Sequence, residues 1–393
     1  MSNSLPAYSL IDGAGALQQF YEQHKNVSWI GFDTEFVGEK RYTTRLCLIQ
    51  VISEHGLYLI DPIQLDGALG PFLKLISDPA ILKITHAGDN DYRLLYNLYG
   101  TLPANLFDTQ IAAGFVGYSY PVSFRKLVEG ETGQHLKKGY AVTDWEARPF
   151  DQKQVRYALD DVLPLPTLWK NLSQKLDGRN RAHWAAEEFS QLEKESYYYR
   201  DPHHDAIKSN LMRNLNRKEK AFLLRLFAWR NETAKRRDHS KEMVLPAKYI
   251  SHIVRGISSG GNALKQNRRV PDKLAQKYGK TFEDLFHQPI TAEEEGVLAR
   301  IPKESDTPAE EEVLMELLYQ VIRYRCLQED ISINMVVPRN ILKAIRSGEE
   351  TAKEAIGESW RREMLGAYFM DWLATANTID LRLMDDHIEL WPD

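Results

Sequence analysis

The sequence is short of cysteine: across 393 residues there are only Cys47 and Cys326. Two thiols so far apart in the chain make neither a disulfide framework nor a thiolate zinc cluster, and a reducing cytoplasm is the expected setting. Long apolar runs are missing too. No stretch approaches the roughly 20 residues that crossing a bilayer requires, and the first residues show no basic region followed by an apolar core, so no secretory signal is expected. There is no G-x-x-x-x-G-K-[ST] loop, which argues against a nucleotide-driven helicase. What remains is an ordinary globular composition, 43% hydrophobic and 27% charged. The length exceeds what one core usually reaches, so two or three domains are expected.

The net charge of −5 hides a split. Residues 208–241 hold 11 Lys/Arg and three acids, a net of +8. Residues 281–320 hold 11 acids and only Arg300 and Lys303, a net of −9. Such asymmetry suggests a polyanion-facing region beside an acidic linker. Arg230, Lys235, Arg236, Arg237 and Lys241 are the candidate phosphate contacts. For each of them singly, a solvated helix end favoured by the helix dipole is the plainer reading.

Residues 1–170 read as α/β. Val27–Phe36, Leu46–Ile52, Leu57–Ile60 and Ala80–Thr85 are β-rich runs, the first three in antiparallel succession. Asp91–Leu98, Asp108–Val116 and Asp151–Leu172 read as helices. A mixed sheet with helices on its faces follows. Beyond about residue 174 the strand signals vanish. Arg217–Arg237 and Glu310–Gln328 read as amphipathic helices, with an acidic stretch poor in core residues between Pro289 and Pro308. A repeat is visible here: Met243-Val244-Leu245-Pro246 recurs as Met335-Val336-Val337-Pro338, and Ile250 and Ile253 match Leu342 and Ile345. Two related helical modules are expected.

The chemistry concentrates in carboxylates. In Trp29-Ile30-Gly31-Phe32-Asp33-Thr34-Glu35-Phe36, strand alternation turns Asp33 and Glu35 to one face. Two buried acids side by side require a positive partner, and a divalent metal is the economical one; an edge strand with a solvated acidic face is the rival. In Thr85-His86-Ala87-Gly88-Asp89-Asn90-Asp91, an acid stands where a strand passes into a helix, either as a ligand or as a helix cap. Tyr157 and Asp161 are four residues apart and share a helix face.

Asp-x-Glu on a strand, a strand–His–loop–Asp junction and Tyr-x-x-x-Asp on a helix, in that order, resemble the DEDD superfamily of 3′→5′ exonucleases, tyrosine subtype. Asp33-Thr34-Glu35-Phe36-Val37, Leu48-Ile49-Gln50, His86-Ala87-Gly88, Phe107-Asp108-Thr109-Gln110, Thr143-Asp144-Trp145 and Ala147-Arg148-Pro149 are similar to the ribonuclease D family. Trp360-Arg361-Arg362-Glu363 with Gly366 extends the likeness, which covers roughly residues 6–374.

The resemblance implies a ribonuclease H-like exonuclease domain over 1–175, a connecting helical segment over 176–209, and a first helicase-and-RNase-D C-terminal (HRDC) domain over 210–290. An acidic linker over 291–309 and a second HRDC-like domain over 310–393 complete it. It further implies metal ligands Asp33, Glu35, Asp91 and Asp161, a catalytic Tyr157 and two divalent cations, Mg²⁺ or Mn²⁺. The implied substrate is RNA with an accessible 3′ end, transfer-RNA precursors foremost, in a bacterial cytoplasm. The extra acid Asp89 departs from the family pattern, and the distance from His86 favours Asp91. A DNA 3′→5′ exonuclease and a catalytically silent RNA-binding protein are the rival functions.

Overall fold

The computed structural model describes residues 5–136, 143–301, 309–337, 359–366, 381–384 and 388–390. Pro338, Leu342 and Ile345 of the repeat lie outside them. The chain divides into two compact units.

The first unit comprises residues 1–35, 46–198 and 307–393. Its elements begin with β1 (Ser9–Ile11), α1 (Ala14–His24), β2 (Trp29–Val37), β3 (Arg45–Ser53), β4 (Gly56–Ile60), α2 (Gly70–Ser77) and β5 (Leu82–Thr85). There follow α3 (Asp89–Tyr99), β6 (Leu106–Asp108), α4 (Thr109–Gly114), α5 (Phe124–Thr132), α6 (Gln152–Asp160), α7 (Leu165–Gly178), α8 (Ala182–Gln191) and α9 (Glu195–Tyr198). The strands form one mixed sheet in the order β1-β4-β3-β2-β5-β6. β3 runs antiparallel to β4, whereas β2, β5 and β6 are mutually parallel. β2 is therefore an interior strand. On one face its Ile30 and Phe32 join Phe72 of α2 and Tyr92 and Leu95 of α3 in the main core.

The mixed sheet is as expected. The short strands β1 and β6 went unread because three residues carry too little periodicity to register. The single helix expected over Asp151–Leu172 breaks in two: α6 stops at Asp160, and Pro164 precedes α7. A proline ring inside a helix removes one backbone hydrogen bond and collides with the preceding turn, so the chain starts afresh.

The domain boundaries need correction. Helices α8 and α9, expected to be connecting, bury Trp184, Phe189 and Tyr198 in the core of the first unit. The second helical module contributes helices over Ala309–Gln328 and Ile333–Val336. Its Leu318, Ile322, Cys326, Met335 and Trp360 belong to that same core rather than to one of their own. A Cβ on Gly114 would lie 2.7 Å from Met335 Cγ, so the small residue admits the methionine.

The second unit is residues 36–45 and 199–306. It holds α10 (His204–Ile207), α11 (Arg217–Arg237), α12 (Lys241–Val244), α13 (Ala247–Ser258), α14 (Ala263–Gln266), α15 (Asp272–His287) and α16 (Ala292–Ala299). Asn216 and Glu219 close a capping box that starts α11 at the expected residue. The stretch expected to be an acidic linker is helical over 292–299, capped by Thr291 and Glu294, with Val297 buried. The reason is Arg225. Its guanidinium is buried and takes both carboxylate oxygens of Glu294 at 2.5 and 2.6 Å, together with the carbonyls of Leu285, Gln288 and Pro289. The acidic segment neutralises a cation of the core.

Beyond it come α17 (Ala309–Gln328) and α18 (Ile333–Val336), both of the first unit. The repeat is visible in the backbone. α12 gives way to Leu245 at φ −148°, ψ 101°, and α18 to Val337 at φ −144°, ψ 98°. The expectation that strands end near residue 174 fails at the tail, where β7 (Leu381–Leu383) pairs antiparallel with β8 (Ile388–Leu390). Among the described residues no helix is long and apolar enough to cross a membrane.

Candidate active site

Asp33 and Glu35 project from one face of β2, as alternation requires. Asp161, the C-cap residue just past the end of α6, reaches them. A ligand oxygen from each of the three lies within 4.8 Å of the others. Thr34, between the two acids, points the other way and donates its hydroxyl to Oδ1 of Asp91. Asp91 sits in the first turn of α3 and is buried; it is near enough to raise the Asp33 carboxyl but is not among the three acids whose oxygens meet within 4.8 Å.

The approach of α3 is built by residues whose motif value was visible but whose work was not. Asp108 caps α4 and also accepts from the backbone N–H of Ala87 and Gly88, at 3.2 and 2.8 Å. Ala87 has φ +56°. A Cβ on Gly88 would fall 2.5 Å from Thr85 Oγ1, so only glycine fits where the strand turns into α3. His86 is held by Thr109 Oγ1 at 2.9 Å and the Val122 carbonyl at 3.2 Å. His86 is thus a structural brace for the turn. Asp89 binds Arg93 at 3.0 Å and is half-exposed, apart from the acid cluster.

The opposite wall rests on α6. Asp151 and Gln154 form its capping box, and the Gln154 amide donates to Thr143 Oγ1 at 3.1 Å and the Asp144 carbonyl at 3.0 Å. Trp145 packs against Tyr157 with ring centroids 6.1 Å apart. Arg148 forks onto both oxygens of buried Asp61, at 2.5 and 2.8 Å, and donates to the carbonyls of Cys47 and Trp145. That guanidinium ties the loop before α6 to β3 and β4. Tyr157, one turn before Asp161, hydrogen-bonds its carboxylate.

Burial and mutual repulsion set the electrostatics. Burial first, then Asp161 and Asp91, pushes Glu35 up to about 8. Asp161 rises to about 7 through burial, although the Tyr157 hydroxyl opposes the rise. Asp91 rises to about 7 through burial, against the opposing Thr34 hydrogen bond. Asp33 is raised well above the ordinary carboxylate range by burial and by its neighbours Asp91, Asp161 and Glu35. Tyr157 is driven upward by burial and the same anions, so its hydroxyl is a donor rather than a base at neutral pH. Such a cluster is unfavourable alone and is suited to a hard cation with oxygen ligands, Mg²⁺ or Mn²⁺.

The expected phosphate contacts divide. Arg230 is buried, donates to Glu242 and the Lys241 carbonyl, and is a structural residue; this corrects the expectation. Lys241 pairs with Asp205 at 2.9 Å, and Arg237 donates to the Tyr278 hydroxyl at 2.7 Å. Lys235 and Arg236 are exposed at the end of α11.

Residues 8–177 match the model of a family described as 3′-5′ exonuclease. The chain is 28% identical over 348 residues to the ribonuclease D of Gluconacetobacter diazotrophicus, covering 88% of this chain and 87% of that protein. To the ribonuclease D of Sphingobium indicum it is 29% identical over 380 residues, 93% of this chain and 94% of the other. The solved structure of Escherichia coli RNase D, an exoribonuclease involved in structured RNA processing, matches with a TM-score of 0.81 at 25% identity. The match covers 94% of this chain and 99% of that one.

Proposed function

The chain is a 3′→5′ exoribonuclease of the ribonuclease D type, and from that premise we propose that it trims the 3′ ends of structured RNA, transfer-RNA precursors foremost, releasing nucleoside 5′-monophosphates. The observation that carries the reading is the meeting of Asp33, Glu35 and Asp161 within 4.8 Å, with the Tyr157 hydroxyl on Asp161. Asp33, Glu35, Asp91 and Asp161 would hold a pair of divalent cations. Bound there, Mg²⁺ or Mn²⁺ would lower the pKa of the attacking water, polarise the scissile phosphate and stabilise the leaving 3′ oxygen.

The chain's own residues do the rest. Tyr157, protonated at neutral pH, orients the attacking water by donating a hydrogen bond. Thr34 donates its hydroxyl to Oδ1 of Asp91 and so helps to fix that carboxylate. Lys235 and Arg236 lie against the phosphate backbone, and the helical repeats act as HRDC-like modules. The bacterial relatives support a cytoplasmic setting.

The test is a structured RNA with a single-stranded 3′ tail, labelled at either end, beside the matching DNA strand. The proposal expects a Mg²⁺- or Mn²⁺-dependent ladder shortening from the 3′ end, mononucleotide products, a stop at the structured region and abolition by chelator. Shortening from the 5′ end, or equal cleavage with chelator present, refutes it. Faster attack on the DNA strand favours the rival DNA exonuclease.

A further inference from the structure

One side chain of the sheet is out of keeping with its place. Gln50 lies in the middle of β3 and is 0% exposed, yet neither its Nε2 nor its Oε1 has a hydrogen-bond partner. Among the described residues no other buried side chain is left in that state. A buried amide without a partner is destabilising. A leucine at this position would remove that cost.

The strand geometry says what the amide faces. β2 and β3 are neighbours in the sheet and are joined by residues 38–44 alone. A link that short joins adjacent strands only as an antiparallel hairpin. A Cβ on Gly31 would fall 2.8 Å from Ile52 Cγ2, so Gly31 and Ile52 share one face and stand opposite each other. Two residues along each strand, in opposite directions, the same face carries Asp33 and Gln50. Directly opposed side chains stand with Cβ atoms roughly 4.5–5.5 Å apart. On its far side Gln50 is paired with Leu59 of β4, which offers no polar atom. The acid cluster is thus the polar neighbour that the sheet gives this amide.

We infer that Gln50 is a positioning residue of the carboxylate cluster, its amide N–H holding Asp33 in the orientation that ligates a divalent cation. The inference rests on the cation-dependent reading above and deepens it. A purely structural glutamine would be bonded within the fold. This one is costly as it stands and gains its partner from the loaded site, where the Asp33 carboxylate is ionised and accepts.

Two variants test it in the full chain: Gln50→Met, which keeps the length without the amide, and Gln50→Glu, which keeps the shape and adds an acid. Mn²⁺ affinity is measured by calorimetric titration, melting temperature with and without chelator, and kcat and KM on a single-stranded 3′ tail across Mg²⁺ concentrations. For Gln50→Met the expected result is a chelated protein that melts at or above the wild-type temperature, Mn²⁺ binding weaker by about ten- to a hundredfold, and a lowered kcat with KM little changed. For Gln50→Glu the melting temperature should fall in chelator and recover more than wild type does on adding Mn²⁺. Wild-type Mn²⁺ affinity in Gln50→Met overturns the inference, as does an Mn²⁺-induced melting shift in Gln50→Glu equal to that of wild type. Should wild type itself neither bind Mn²⁺ nor need Mg²⁺ for cleavage, the cation-dependent reading fails, and with it the role for Gln50.

Discussion

Thr34 donates its hydroxyl to Asp91 from the face of β2 opposite Asp33 and Glu35. One strand thus serves the site from both sides: two acids project into it, and the residue between them fixes a third acid arriving from α3. The bond stabilises the ionised form of Asp91, which burial alone would push further up.

Replacing Thr34 by valine keeps the shape and removes the donor. Asp91 then loses a preference for its charged form, the one a cation would require. The expected result is a higher Mg²⁺ requirement and kcat lower by about tenfold or more, the usual range for removing the partner of a metal ligand. Thr34→Ser should restore most of the rate. An unchanged Mg²⁺ titration in Thr34→Val would mean that Asp91 does not depend on this bond.

The raised carboxylates predict how stability responds to pH when cations are removed. Glu35 is lifted from 4.5 to about 8 and Asp91 and Asp161 from 3.8 to about 7, burial leading in each. The folded state therefore binds these protons more tightly than the unfolded chain. Their contribution is fully present below the unfolded values and is lost as pH rises through 7 to 8. His24, lowered chiefly by burial, acts in the opposite sense below its ordinary 6.5, and Lys83, lowered to about 8 by burial, acts above that value. Melting in chelator scanned between about pH 6.5 and 8 should fall steadily, and Mg²⁺ or Mn²⁺ should flatten or reverse the slope. A chelated protein whose melting rises over this window contradicts the cluster's electrostatics.

Several of these relationships were open to reading in the chain itself, and others were not. Alternation along Trp29–Phe36 puts Asp33 and Glu35 on one face whatever the tertiary structure, and four-residue spacing brings Tyr157 to Asp161. Both hold because local backbone geometry decides them. Arg230 and Arg236 look alike in sequence, since a cation in a helix shows the same periodicity whether it is solvated or paired with Glu242 twelve residues on. The acidic run at Glu293–Glu295 resembles a solvated linker until buried Arg225 is known to need Glu294. Gln50 gives no signal within an apolar strand, because its meaning lies in the strand beside it.

Arg148 carries a stability prediction. Asp61 is 2% exposed and receives both nitrogens of the fork. Arg148→Met leaves that carboxylate buried and unpaired, which costs about 3–5 kcal/mol. It also unties the loop before α6 from the Cys47 carbonyl. Denaturant unfolding should show the loss, and kcat should fall because the residues that carry Tyr157 and Asp161 lose their anchor. The double variant Arg148→Met with Asp61→Leu should recover part of the stability, since it leaves no orphaned charge. No recovery would mean that the carbonyl bonds, rather than the ion pair, hold the loop.

RNA binding separates the cations of α11. Lys235 and Arg236 are exposed, whereas Arg230 is buried against Glu242. Neutralising the exposed pair as Lys235→Gln, Arg236→Gln should weaken binding to a 3′-tailed RNA at low salt. It should also reduce the slope of log affinity against log salt by roughly 0.7 for each phosphate of the single strand that is no longer neutralised. Melting should be unchanged, because neither residue is part of the core. Arg230→Gln should do the reverse, lowering the melting temperature through the unpaired interior it leaves, with the salt slope preserved in whatever fraction stays folded. If the exposed pair alters neither affinity nor slope, the excess of positive charge over residues 208–241 serves the fold, as it does at Arg225 and Arg230, and the RNA is held by other residues.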